Sequence, residues 1–165
     1  MSVQLDKLAA CLLLCLFGMT GCADISAGTD NLTVYYRVSR IIDGDTIVLS
    51  NGQRVRYLGI DCPELHRANQ PPECGAAEAT EENRKIIGSS RVRLETDITD
   101  KDAYGRLLRF VYTESGVFVN YEMVRRGWAQ VFSLPPDVRR QAEIIEAQSL
   151  ARQENLGLWK KCFNH

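Results

Sequence analysis

Three short runs of β-forming residues, Tyr35 to Ser39, Thr46 to Leu49 and Gln53 to Leu58, follow one another with almost nothing between them. The gaps hold Asp43-Gly44-Asp45 and Ser50-Asn51-Gly52. These residues favour tight reversal because Gly tolerates positive φ and Asp and Asn bond their own backbone. Connections this short allow only antiparallel neighbours, so the segment reads as a three-stranded meander.

The rest of the chain adds to that meander. Gly75 to Ile87 is rich in Ala and Glu and stops at Gly88, the pattern of a helix with a C-terminal glycine cap. Arg91 to Glu95 and Arg106 to Tyr112 return to strand composition. Val117 to Arg126 reads as a second helix ended by Gly127, and Asp137 to Glu154 as a third with Asp137 as its start signal. Gly157-Leu158-Trp159 then closes the body with an aromatic that reads as buried. Five strands and three helices predict an α+β domain, a small β-barrel of the OB type with helices at its base. The 165 residues, 45% hydrophobic and 25% charged, have room for one such domain and no second.

The first residues do not belong to it. Leu8 to Phe17 is an apolar run too short to span a bilayer and of signal-peptide length, followed by Met19-Thr20-Gly21-Cys22. Small residues ending on a cysteine resemble the bacterial lipoprotein box. The expected organisation is a signal segment at 1–21, a lipid-bearing Cys22 opening a polar tether at 22–33, and the domain at 34–162. This implies export to a bacterial cell envelope and attachment to a membrane, with a secreted or periplasmic protein as the alternative. With Cys11, Cys15 and Cys22 assigned to export, Cys62, Cys74 and Cys162 remain where disulfides persist. The sequence alone allows any pairing among them.

A net charge of -1 predicts no polyanion partner from global electrostatics. After Cys22, however, the only lysines are Lys85, Lys101, Lys160 and Lys161; the other basic residues are arginines, whose planar fork matches phosphate. His66 and His165, the only histidines, are too few and too separated for a zinc site.

Three segments concentrate charge at turns: Asp43-Gly44-Asp45-Thr46, Arg56-Tyr57-Leu58-Gly59-Ile60-Asp61-Cys62-Pro63-Glu64 and Asp100-Lys101-Asp102-Ala103-Tyr104-Gly105-Arg106. Each alone reads as an ordinary turn with solvated charges. In this order and spacing they resemble the Asp-Gly-Asp-Thr, Arg-x-x-x-x-Asp-x-Pro-Glu and Asp-x-Tyr-Gly-Arg signatures of the staphylococcal nuclease family. The likeness runs from about Tyr36 to Trp159 and takes in Val119-Asn120-Tyr121-Glu122 and the closing Gly157-Leu158-Trp159.

The resemblance implies a calcium-dependent, sugar-nonspecific endonuclease that hydrolyses DNA, with RNA left open, to 3'-phosphate ends. It makes Asp45 and Asp61 ligands of one Ca2+ with the backbone carbonyl of Cys62 as a third, since hard oxygen donors suit calcium. It makes Glu64 the general base, or the group that orients the attacking water, and Arg56 and Arg106 the clamps on the phosphoryl oxygens, with Tyr104 against a terminal phosphate. A single domain of this kind is expected to be a monomer. The competing expectation is a catalytically silent OB-type nucleic-acid-binding module of an envelope lipoprotein; a purely structural lipoprotein ranks behind it.

Departures from the family bear on substrate more than on chemistry. Ala103 stands where a lysine is common, and the Leu65 to Glu73 loop lacks a lysine cluster. Phe132-Ser133-Leu134-Pro135-Pro136 replaces tyrosines that pack on the base, leaving Phe132 as the stacking face. Cys62 stands where Thr or Ala is usual, and its thiol is expected to invite inhibition by zinc or mercury. Relatives with Glu-Cys-x-Gly often carry Leu-Trp-x-x-Cys, which favours a Cys74–Cys162 bond.

Overall fold

A computed structural model describes residues 33–66 and 69–163. The export segment, Cys22 and His165 lie outside those residues. The meander forms as expected: β1 (Tyr35–Ile41), β2 (Thr46–Leu49) and β3 (Arg54–Tyr57) pair antiparallel in sequence order. After β4 (Ile60–Asp61) and α1 (Ala76–Ile87), β5 (Arg91–Glu95) and β6 (Leu107–Thr113) complete a closed barrel in the order β1-β2-β3-β6-β5. β3 and β6 run parallel, Val55 beside Leu107, and β5 returns to β1 with Tyr36 beside Val92. Ile47, Leu49, Val55, Tyr57, Val92, Phe110 and Val111 are buried in the core. The period-two alternation of these strands sends Arg54 and Arg56 to the outside.

Helices α2 (Val119–Arg125), α3 (Gln141–Gln153) and the single turn α4 (Leu158–Lys161) follow, with β7 (Gln130–Val131) between α2 and α3. Two buried asparagines tie helices to barrel. Asn120 accepts the Val111 amide at 2.9 Å and donates to the carbonyl of Leu58 at 2.9 Å. Asn83 of α1 donates to the Asp43 carbonyl and accepts the Tyr57 hydroxyl, both at 3.0 Å. The chain end is seated by a backbone crossing in which the Leu158 amide donates to the Gly127 carbonyl at 2.8 Å. Gly127 (φ 78) and Gly157 (φ 53) are both left-handed, and a Cβ on either would stand 2.4 Å from the other strand's carbonyl oxygen, so this approach requires glycine. Cys74 and Cys162 are disulfide-bonded, joining the start of α1 to the end of α4, and Cys62 is a free, buried thiol.

Three expectations change. The β4–β7 ladder, two residues on each side, and α4 are too short to leave a periodic signal. Leu158, not Trp159, is the buried residue at the end; the half-buried Trp159 ring lies under Arg152 at 4.2 Å. Helix α3 begins at Gln141, because Asp137 is occupied elsewhere: its Oδ1 accepts the amides of Ile98 and Thr99 at 2.9 and 2.8 Å. Burial would raise the Asp137 pKa, but the Thr99 hydroxyl and these two amides outweigh it and hold the carboxyl below its usual value of 3.8.

A depressed carboxyl stabilises the fold above its unfolded pKa, and that contribution is lost as pH falls through the folded one. Asp137→Asn, which exchanges a charged acceptor for a neutral one, is therefore expected to cost about 1 kcal/mol at pH 7. The difference between wild type and variant in urea unfolding should shrink between pH 5 and pH 3; a difference independent of pH would remove the charge from the explanation.

Candidate active site

The Asp43-Gly44-Asp45 turn between β1 and β2 is closed by the Ile42 amide donating to the Thr46 carbonyl at 2.9 Å and by the Asp43 carboxylate accepting the Asp45 amide at 3.1 Å. Asp45 is thereby turned inward and is 2% exposed. Its Oδ2 accepts the Cys62 amide at 2.7 Å and meets the Arg56 guanidinium at 2.5 Å, while Oδ1 accepts the Thr46 hydroxyl at 3.1 Å. Burial pushes this carboxyl up to about 7; Arg56 and the Cys62 amide pull it down, and Asp43 and Asp61 push it further up.

Arg56 is placed by β2–β3 register opposite Thr46, next to the turn that carries Asp45. Its guanidinium spans two carboxylates, Asp45 on one side and Asp61 at 2.6 Å on the other, and donates to the Ile60 carbonyl at 3.1 Å. Burial would lower the Arg56 pKa, but the two carboxylates more than offset it and raise it, so the side chain is fully charged. Asp61 ends β4, held by pairing with Gln130 of β7, and its side chain is about half exposed.

Asp102 shapes the third segment. Its Oδ1 accepts the amides of Tyr104 and Arg106 at 2.9 Å each, and its Oδ2 accepts Arg106 Nε at 2.6 Å. The loop is anchored from below by Arg109, whose guanidinium donates to the carbonyl and carboxylate of Asp100 at 2.9 and 2.6 Å. Arg56 and Arg106 then face one pocket of about 330 Å³, lined also by Asp61, Asp102, Phe132 and Leu134. Phe132 is brought there by its amide donating to the Gly59 carbonyl at 2.9 Å, which extends the β4–β7 ladder, and its ring stays 52% exposed.

The sequence-predicted residues thus divide. Arg56 contacts both Asp45 and Asp61, and Arg106 lines one pocket with Arg56 and Asp61, Asp45 lying outside its lining. Tyr104 is 84% exposed beside Arg106, 5.7 Å from its guanidinium to the ring centre. Glu64 lies past Pro63, half-buried, its amide donating to the Glu73 carboxylate at 2.8 Å and its carbonyl accepting the Glu73 amide at 3.1 Å; it is outside the lining of the pocket. Among the described residues no group of three or more His, Cys, Asp or Glu stands close enough to hold a metal ion. The groups in contact with the Arg56 guanidinium are nevertheless all oxygens, the Ile60 carbonyl and the carboxylates of Asp45 and Asp61, two carboxyl groups against one positive charge. Oxygen donors with surplus negative charge fit a hard divalent cation such as Ca2+.

Asp102 and Asp43 carry no predicted role, yet both are structural to the site. The signal for Asp102 was its spacing: an acid two before Tyr104 and four before Arg106 closes an Asx-type turn. The Cys62 thiol differs from expectation. It packs against Gly44 in the core, where burial raises its pKa well above the usual value, and neither exposure nor thiolate character supports reaction with soft metals.

Comparison with known proteins agrees with this geometry. Residues 54–161 match the family model described as staphylococcal nuclease homologue. The chain is 36% identical over 138 residues to the thermonuclease of Staphylococcus intermedius, covering 82% of each chain. It is 33% identical to the thermonuclease of Staphylococcus hyicus, covering 81% of each. Against the endonuclease YncB of Bacillus subtilis (strain 168) it is 33% identical, over 75% of this chain and 61% of that one.

Native protein treated with iodoacetamide and then mapped by mass spectrometry is expected to carry no label on Cys62, with labelling appearing only after urea unfolding. Rapid labelling of Cys62 in the native state would contradict its place in the core.

Proposed function

We propose, from the premise that this chain belongs to the staphylococcal nuclease homologue family and is a nuclease, that it is a calcium-dependent endonuclease cutting phosphodiester bonds to leave 3'-phosphate ends. The observation that carries the reading is the pocket lined by Arg56 and Arg106 with Asp61 at its edge. A phosphodiester carries a negative charge that repels nucleophiles, and the charge on its oxygens grows in the transition state. Two guanidinium groups facing one pocket of about 330 Å³ can donate to those oxygens with matched planar geometry. Arg106 arrives oriented, because Asp102 holds its Nε and leaves its terminal nitrogens for substrate. Arg56 has five N–H donors, of which the contacts to Asp45, Asp61 and Ile60 occupy part.

Asp45, Asp61 and the Cys62 carbonyl would hold the calcium ion, which when bound supplies a further positive charge beside the phosphate. Glu64 would act as the general base that accepts the proton of the attacking water, or as the group that orients that water. The water oxygen bonds to phosphorus, the bond from phosphorus to the 5' oxygen breaks, and the leaving oxygen takes a proton from solvent. Tyr104 would meet a terminal phosphate, a reading supported by its exposure beside Arg106. The same proposal includes export through residues 1–21 and lipid attachment at Cys22, supported by the apolar run and the Met19-Thr20-Gly21-Cys22 stretch.

In calcium buffer, Glu64→Gln is expected to cut single-stranded DNA at least about 100-fold more slowly than wild type, with its circular dichroism unchanged, and a chelator should abolish wild-type cleavage. Wild-type cleavage indifferent to calcium, or a variant within a few-fold of wild type, would overturn the reading; DNA binding without cleavage would favour the silent module.

A further inference from the structure

From Tyr35 to Ile41 and from Thr46 to Tyr57 the chain has four arginines, Arg37, Arg40, Arg54 and Arg56, and no Asp or Glu. In a protein of net charge -1 this is a local excess of one sign on one surface, since these residues make up β1, β2, β3 and the β2–β3 turn. Register arranges them. Arg40 pairs with Val48, and Val48 pairs with Arg54, so the two arginines flank Val48 in one row across the barrel wall. Arg54 and Arg56 are two residues apart on β3 and share its outer face, Val55 and Tyr57 between and beyond them being buried. Strand spacing and rise put the Cα of Arg54 about 7 Å from that of Arg56 and about 10 Å from that of Arg40.

Arg40 owes its position to an irregularity. The β1–β2 register shifts between Val38 and Arg40, and the Ser39 hydroxyl fills the bulge by donating to the carbonyls of Val48 and Leu49 at 3.0 and 3.1 Å. A bulge re-aims the side chain that follows it. Arg40 then also lines a groove of about 330 Å³ between β1 and the end of α1, with Ser39 and Arg84.

The other arginines near this face are paired: Arg84 with Glu81, and Arg91 with Glu114. Arg37, Arg40 and Arg54 are exposed, and among the described residues none of them is held in an ion pair. Unpaired guanidinium groups in a row that begins at the pocket arginine are an electrostatic path for a chain of phosphates.

We propose that the outer face of β1–β3 is a backbone-binding track in which Arg54 and Arg40 hold phosphates of the nucleic acid beyond the bond being cut. The proposal rests on the nuclease reading above. The occupant is a polynucleotide strand because the row is continuous with the pocket through Arg56, and because β1, β2 and β3 carry four arginines and no Asp or Glu, a charge pattern that suits a chain of phosphates. Substrate length thus becomes a determinant of affinity, while the chemistry at the pocket is untouched.

The test compares the full-length wild type with the Arg40→Gln/Arg54→Gln double variant on a 20-nucleotide single-stranded DNA and on a dinucleotide with one scissile diester. The expected result is a KM for the 20-mer raised about ten-fold or more at low salt. The salt dependence of its binding should be shallower by a slope of about 1.4, two contacts at ~0.7 each on a single strand. Cleavage of the dinucleotide should be unchanged. A 20-mer KM equal to wild type, or an equal loss on the dinucleotide, overturns the track. If the wild type cuts neither substrate the nuclease reading fails separately, and fluorescence anisotropy of the labelled 20-mer still decides the track: weaker, less salt-sensitive binding by the variant supports it and equal binding overturns it. Binding to phosphatidylglycerol vesicles that needs Arg40 and Arg54, with 20-mer binding unaffected, would assign the face to a membrane surface and overturn the proposal.

Discussion

A guanidinium caught between two carboxylates organises this molecule. Arg56 is largely buried, and a buried charge with no partner is strongly destabilising. Its partners come from two different turns, Asp45 before β2 and Asp61 at the end of β4. Satisfying Arg56 therefore fixes the β1–β2 turn, the β2–β3 register and the course of the chain after β3 together. Asp45 doubles the constraint, because the same carboxylate accepts the Cys62 amide and its carbonyl accepts the Tyr57 amide at 2.9 Å. The price of concentrating charge in this way is visible in the raised pKa of Asp45, whose burial the one arginine does not fully offset.

The helices keep that arrangement from relaxing. Asn83 reaches from α1 to the Asp43 carbonyl and Asn120 from α2 to the Leu58 carbonyl, so both backbone segments that lead into the charged cluster end on a buried amide side chain. Buried polar groups with several partners specify one geometry where apolar packing would accept several. Farther out, the Gly127–Gly157 crossing and the Cys74–Cys162 bond fasten the chain end to the body, next to the β4–β7 ladder that carries Asp61 and Phe132. Binding residues on loops are thus held by a rigid frame.

Much of this was legible in the sequence because turns leave strong local signals. Asp43-Gly44-Asp45, Ser50-Asn51-Gly52 and Gly105 mark reversals through their own backbone chemistry, and the five barrel strands between them appeared within two residues of their limits. Arg56, Asp45, Asp61 and Arg106 were found because the three charged segments that hold them, in their order and spacing, resemble the signatures of the staphylococcal nuclease family; each segment alone reads as an ordinary turn. What escaped was set by long-range contact. Asp137 looks like a helix start, yet its carboxylate serves amides 38 and 39 residues earlier. The β4–β7 pairing joins two-residue strands 70 positions apart in chain, too short for a period. The burial of the Cys62 thiol against Gly44 depends on two loops meeting, which composition does not record.

If the account is right, the shape of the Arg56 side chain matters as much as its charge. The most direct measurement is kcat/KM of Arg56→Lys on a short single-stranded DNA in saturating calcium. An ammonium is a point charge that cannot bridge Asp45 and Asp61 and still present a planar fork to phosphate. A loss of about 100-fold or more is expected, the size seen when a transition-state donor is removed, with the fold retained by circular dichroism. Activity within about three-fold of wild type, less than 1 kcal/mol in the barrier, would contradict the central place given to this guanidinium.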